Sequence, residues 1–395
     1  MLETWLIEIV IGVGKLFLNP LLYWIVLLFF IMGWRRIKRE RRLFRTKIYP
    51  ILTESKGTLL VSIVFSMIIS LVAILVGMVF SYEIIFVLIV VTILVSLTGR
   101  TTFLSASYTL GLTFLFIVIL QYLPLAGVEQ YLDFNRVTIV QLLTIAFLLS
   151  LLLFAEALLL HRRNGASFPE MKLGLRGKWI GQHRLKRAAF IPFFALLPVD
   201  QANVILPLFP YFEYAHEGYQ LILLPFIIGV NYTVQSDLPH VAGKRLGQAT
   251  WILSVIVMFI ALVGLYFPYA TIVAVLVAVI GKEWITYRHK KQDKYKQAIF
   301  TPLNKGVKVL AVLPESPAER IGIHIGETIT KVNNQIIQTP TAFYEALQNS
   351  GASFKLDVID ERGEIRFINS VLYEEDHHEL GVVFVEEPNE NKRIK

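Results

Sequence analysis

From Leu246 to Gly281 the chain runs for 36 residues without a charged side chain. As a helix rising 1.5 Å per residue, that run would be roughly 54 Å long, far more than one crossing of a ~30 Å hydrocarbon core needs. Pro268 sits near its middle, after Tyr266 and Phe267. The run therefore predicts two membrane spans joined by a tight turn at Pro268. Other stretches obey the same rule. Pro20–Trp34 is the core of a first span, helped by the amphipathic stretch Trp5–Leu18. Thr58–Phe80, Ile84–Gly99, Thr101–Leu123 and Val137–Leu160 supply the next four, with Glu156 near the inner end of the last. Glu3 and Glu8 stand where a signal peptide would be basic, and no small-residue cleavage site precedes Arg35, so the first segment reads as retained.

Composition supports this. Of 395 residues, 55% are apolar and 17% charged, and mean hydropathy is +0.59. An ordinary soluble domain is about 25% charged. A single soluble globule is excluded, and so is disorder, which needs low hydrophobicity. There are no cysteines, hence no disulfide framework or thiol chemistry.

Residues 188–240 are apolar but interrupted by Pro192, Pro198, Pro207, Pro210 and Pro225, and they carry Asp200, Gln201, Asn203, Asn231 and Asp237. Two broken spans, near 190–211 and 218–235, are the favoured reading. The alternative is a re-entrant hairpin buried by protein or water.

The net charge of +8 is split. Residues 1–299 carry 28 basic and 15 acidic side chains, and residues 300–395 carry 10 and 15. The basic residues form short blocks at 35–56, 162–187, 244–245 and 288–296, separated by apolar runs. Counting spans puts every block on one side, which the positive-inside bias makes cytoplasmic. This pattern speaks against a nucleic-acid surface. Arg35, Arg36, Lys38, Arg39, Arg41 and Arg42 are the candidate orientation and lipid-contact residues, since basic side chains near an anionic leaflet gain about 1 kcal/mol each.

The expected architecture is an α-helical polytopic membrane domain at 1–285 with about seven to nine helices, and a basic linker at 286–303. A soluble α+β domain at 304–386 and a charged tail at 387–395 follow. In the soluble part Val307–Leu313 alternates as a strand. Ser316 is an N-cap before Pro317, Gly322 ends that short helix, and Asn333-Asn334 has turn chemistry. Thr341–Asn349 is a helix, and Phe354–Ile359 and Ile365–Leu372 are strands about Glu361-Arg362-Gly363.

Val309-x-x-Val312, Ser316-Pro317-Ala318, Gly322, Gly326-Glu327-x-Ile329, Val332-Asn333-Asn334, Phe343 and Ala346-Leu347 resemble a bacterial PDZ domain, with Asn334 where that family usually has Gly. The resemblance implies recognition of a partner's C-terminal peptide as an added strand. The carboxylate-nest motif of the family is missing before Val307 but occurs at Glu379-Leu380-Gly381-Val382-Val383-Phe384. A permuted domain is expected, with Leu380, Gly381, Val382 and Val383 on the peptide-receiving edge and Tyr344 facing the groove. The whole layout is also similar to the MinJ-type cell-division topological determinants. That resemblance implies a scaffold linking a DivIVA-type curvature sensor to a MinD-type protein at septum and poles.

Catalytic motifs are missing. His378-Glu379-Leu380-Gly381-Val382 lacks the second His of a zinc-protease helix, and no nucleophile elbow or phosphate loop is present. No enzyme activity, cofactor or metal is expected. Two other classes stay open: a PDZ-regulated transporter using Asp200, Asn203 and Asn231, and a substrate-presenting accessory of membrane proteolysis. Glu156 is expected to reach the interface near His161 and Arg162.

Overall fold

The computed structural model describes residues 2–122, 132–162, 167–174, 177–199, 212–214, 217–301, 306–351, 353–371 and 380–385. The membrane part opens with α1 (Leu2–Leu16) and α2 (Pro20–Phe44), followed by the single turn α3 (Thr53–Lys56). Then come α4 (Leu59–Val76), α5 (Tyr82–Leu97), α6 (Ala106–Tyr122) and α7 (Ile139–His161). The pair α8 (Pro239–Val263) and α9 (Ala270–Tyr295) closes it. Among the described residues, α2, α4, α7, α8 and α9 are long and apolar enough to cross a membrane, and α5 and α6 are shorter apolar helices. The break between α8 and α9 falls at 264–269, where Pro268 placed it.

Sequence cues explain the helix ends and contacts. Thr138 caps α7 through a reciprocal pair with Gln141. Asn19 caps α2, whose first residue is Pro20. Gly243 and Gly247 lie one turn apart on α8, and a Cβ on either would come within 3 Å of a backbone oxygen of α7, at Leu160 and Ala157. Small residues at that spacing let the two helix backbones meet, as in other membrane helix pairs.

Between α7 and α8 the expectation of helical spans is corrected. The described residues there are strands: β1 (Ser167–Leu173), β2 (Trp179–Phe190), β3 (Phe193–Val199), β4 (Phe212–Tyr214), β5 (Glu217–Leu224) and β6 (Ile227–Val234). β2 pairs with β6, and β3 with β5, so 179–199 and 217–234 form one long antiparallel ribbon. Pro192 and Pro225 face each other at its bend, where the Ile191 N–H bonds the Phe226 carbonyl at 2.8 Å. A proline has no N–H to give to a ladder, which suits it to such a corner.

The ribbon follows α4 from end to end. Thr58 Oγ1 donates to the Ala188 carbonyl, and the Phe194 N–H donates to Ser70 Oγ. At the far end Leu196 exchanges backbone bonds with Met78 and Phe80. The described residues of 188–199 and 217–234 thus pass along the bundle and back, as strands instead of helices. Ala189, Ile191, Phe193, Ala195, Leu224, Phe226 and Ile228 join the main helical core. Such backbone is tolerated at membrane depth because ladder bonds and surrounding helices bury it.

The soluble part holds β7 (Val307–Val312), α10 (Pro317–Arg320), β8 (Thr328–Val332), β9 (Gln335–Ile336), α11 (Pro340–Asn349), β10 (Ser353–Ile359), β11 (Ile365–Val371) and β12 (Val382–Phe384). Its sheet runs β11-β10-β8-β7-β12, with β9 on β8. The last described strand, β12, therefore lies at the sheet edge beside β7, the first strand of the domain, as a permuted order requires. Asn333 and Asn334 both take positive φ, 45° and 67°, in the β8–β9 turn. The helix expected from Thr341 begins one residue earlier, at Pro340, with Thr339 as its cap. Residues 286–295, expected as linker, continue α9.

Candidate functional site

The expected groove would lie between the edge strand β12 and helix α11. Leu380 is buried in the core, and Gly381 turns into β12 with φ +82°. A Cβ there would lie 2.4 Å from the Ser316 Cβ, so only glycine fits. The Leu380 carbonyl accepts from the Ala318 N–H, and the Gly381 carbonyl from the Leu313 N–H, at 2.9 Å each. These bonds anchor the motif to the start of α10 and the end of β7. Backbone groups alternate along a strand, so with Gly381 turned to β7, the Val382 N–H and C=O face away from it. That free side is where an added peptide strand would bond.

Helix α11 brings Tyr344 to the same place. The Thr339 hydroxyl accepts the Ala342 N–H at 3.2 Å, and Phe343, Ala346 and Leu347 bury one face. The Phe343 ring packs edge-on to Phe384 at 5.1 Å between centroids, and Tyr344 to Phe384 at 6.2 Å. The Tyr344 hydroxyl donates to the Val382 carbonyl at 2.9 Å. The structure therefore brings Tyr344, Leu380, Gly381, Val382 and Val383 together, with one outward acceptor of the edge already engaged by Tyr344. Glu379 and His377-His378 lie outside the described residues.

The PDZ domain is seated on the membrane part. Met171, Phe300, Leu310 and Val385 form a buried cluster, flanked by Leu43, Phe44, Trp179 and Leu238. The Gly181 N–H bonds the Phe300 carbonyl at 2.8 Å. A Cβ on Gly181 would come within 2.6 Å of Leu310 Cδ1 and 2.9 Å of Phe300 Cβ. His183 is fully buried against the Phe300 ring, and that burial pulls its pKa down to about 4. The sequence reads 162–187 only as a basic block, which does not reveal this seat. The available signal was the alternation of Gln182, Arg184 and Lys186 with Gly181, His183 and Leu185, a strand period.

The basic block divides. Arg35, Lys38, Arg41 and Arg42 are exposed, and Lys38 lies over the Trp34 ring. Arg36 is a correction, because its guanidinium is buried and cannot meet lipid. It pairs with Glu40 at 2.8 Å and Glu54 at 3.0 Å and donates to the carbonyls of Tyr49 and Pro50. Arg39 is half-exposed and pairs with Glu170.

The polar residues of the membrane part do not converge on a solute path among the described residues. Asp237 is bound by Arg245 and Lys296, and Asn231 stands in β6 opposite Lys186. Asp200, Gln201 and Asn203 lie outside the described residues. Glu156 is also a correction. It does not reach the interface but pairs with Lys282, the two side chains 0% and 1% exposed, and accepts from Ser105 Oγ at 2.6 Å. Beside it, Tyr108 donates to Glu283 at 2.7 Å, and Lys282 lies over the Tyr232 ring. The cluster ties α6, α7, α9 and β6 together.

Comparison with known proteins agrees with this architecture. A PDZ domain model matches residues 308–360, so the C-terminal region contains a PDZ domain. The chain is 29% identical to the cell division topological determinant MinJ of Bacillus subtilis over 392 residues, covering 99% of this chain and 98% of that protein. It is 25% identical to probable MinJ proteins of Lacticaseibacillus paracasei and Lacticaseibacillus casei over 256 residues, 62% of this chain and 66% of each relative. The MinJ-like layout read from the sequence thus extends over nearly the full length.

Proposed function

We propose that the protein is a cell-division topological determinant of the MinJ kind, a membrane-anchored scaffold without catalysis of its own. The observation that carries this reading is the end-to-end similarity to the Bacillus subtilis protein, which spans the helices, the ribbon and the PDZ domain together. A PDZ domain alone recurs in many settings, whereas a match through both parts favours a shared task. Seating the domain on the membrane part confines its groove near the bilayer, which raises its effective concentration for membrane-bound partners.

In this reading the basic side and the PDZ domain are cytoplasmic. Arg35, Lys38, Arg41 and Arg42 meet anionic lipid. The β12 edge, with Leu380 to Val383, receives a partner's peptide. The partners are division-site proteins: a DivIVA-type sensor at septum and poles, and a MinD-type protein that holds the division inhibitor.

The test is complementation in Bacillus subtilis lacking its own MinJ. A fluorescent fusion of this chain is expected to collect at septa and poles and to restore normal cell length. Uniform membrane fluorescence with uncorrected cell length would overturn the proposal.

A further inference from the structure

Arg245 on α8 and Arg288 on α9 lie at one depth. Each is eighteen residues from the turn joining the helices, counted from Val263 and from Ala270, so each lies about 27 Å from it. That is close to the ~30 Å thickness of a hydrocarbon core, which places both at the bilayer boundary on the PDZ side.

Two adjoining hollows open along the α8–α9 surface at this level. One, of about 570 Å³, is lined by Arg245, Arg288, Lys291, Trp284, Tyr287 and Tyr295. The other, of about 370 Å³, shares Arg245, Arg288 and Trp284 and runs toward the bilayer centre along Leu246, Ala249 and Ile252. The exposed apolar stripe of α8 continues the same way through Ile256 and Phe259. The hollow is thus cationic at one end, aromatic at the boundary and apolar toward the bilayer.

Charge at the cationic end is in excess. Arg245 and Lys296 share Asp237. Among the described residues, Arg288 and Lys291 have no carboxylate within salt-bridge distance, and both are exposed. Trp284, Tyr287 and Tyr295 are 62%, 57% and 80% exposed, as side chains of an interfacial aromatic belt are. A soluble protein partner would match the charge but not the apolar slot that descends from it.

We propose that this surface is a binding site for an anionic phospholipid of the PDZ-side leaflet. Its phosphate would lie between Arg288 and Lys291, with Arg245 and Lys296 behind. Its glycerol region would rest on Trp284 and Tyr287, and one acyl chain would run along Ala249 and Ile252. The site is distinct from the basic block after the first span.

The experiment is native mass spectrometry of the full chain released from detergent with added phosphatidylglycerol or phosphatidylcholine. The wild type is expected to retain phosphatidylglycerol in preference. The double variant Arg288→Gln/Lys291→Gln is expected to lose about thirtyfold of that retention, the combined effect of two basic residues near a membrane surface. The control Lys355→Gln/Arg362→Gln, on exposed residues of the PDZ domain, should lose little. Ala249→Trp fills the acyl slot without touching charge and should also lower retention. Size-exclusion profiles check that each variant folds. Inorganic phosphate should not compete, because it lacks the chains. Equal retention of the two lipids, unchanged retention in both the charge and slot variants, or full competition by phosphate would each refute the site.

Discussion

The Tyr344 hydroxyl rests 2.9 Å from the Val382 carbonyl oxygen, bridging helix α11 and edge strand β12, the two sides of the proposed groove. An incoming strand needs that same outward edge. In the proposed function the tyrosine would therefore yield, or share its acceptor, when a peptide enters.

Tyr344→Phe keeps the ring on Phe384 but removes the hydroxyl. It is expected to tighten peptide binding a few-fold, with a stability change within about 1 kcal/mol. Tyr344→Glu puts a carboxylate against the edge and should abolish binding. Titration of the folded full-length variants with peptides ending in an apolar residue measures both. Unchanged affinity in both variants would remove Tyr344 from the groove.

Gly181 packs closely into the seat of the PDZ domain, where a Cβ would meet Leu310 and Val385 of that domain and Phe300 of the connection after α9. Gly181→Val should separate the domain from β2 and cost about 1–3 kcal/mol by overpacking. Protease should then cut between α9 and β7 faster than in the wild type, while the released domain stays folded. An unchanged cleavage rate would mean that the seat absorbs the extra methyls.

Much of the PDZ domain was legible because its turns are local chemistry. Ser316, Asn333-Asn334, Gly322 and Gly363 each announce a backbone geometry within a few residues, and all four do what they announce. Pro268 likewise marked the α8–α9 turn. The ribbon was not legible as strands. A strand buried on both faces is a plain apolar run, and over 188–234 that cannot be told from a broken helix by period alone. Arg36 was misread for another reason. Its neighbours in sequence are exposed cations, and only the folded chain reveals Glu54 beneath it.

His183 makes the same seat sensitive to acid. Burial holds its imidazole neutral, with a pKa near 4 against an ordinary 6.5. Between those values the unfolded chain binds a proton that the folded chain excludes, so stability present above pH 6.5 is lost as pH falls. The loss by pH 5 should be about 2 kcal/mol. Thermal unfolding at pH 7.5 and pH 5 should show a decline that His183→Phe reduces. An equal decline in the variant would assign the acid sensitivity to other groups.

The pair Glu156–Lys282 tests what the polar core of the membrane part is for. Its partners are far apart in sequence, which is why Glu156 alone suggested a side chain reaching for the interface. Removing one charge leaves the other buried and uncompensated, at a cost of about 3–5 kcal/mol. Glu156→Gln and Lys282→Met should therefore each lower the thermal midpoint in detergent sharply. If the pair serves only to lock α7 to α9, the double variant Glu156→Leu/Lys282→Met should recover most of that loss, because apolar side chains of similar volume can fill the space and Ser105 can bond within its own turn. The double variant should also still collect at septa. Recovered stability with lost localisation would give the pair a role beyond packing, and a double variant as unstable as either single one would show that the hydrogen bond from Ser105 and the neighbouring Tyr108–Glu283 contact depend on the charges.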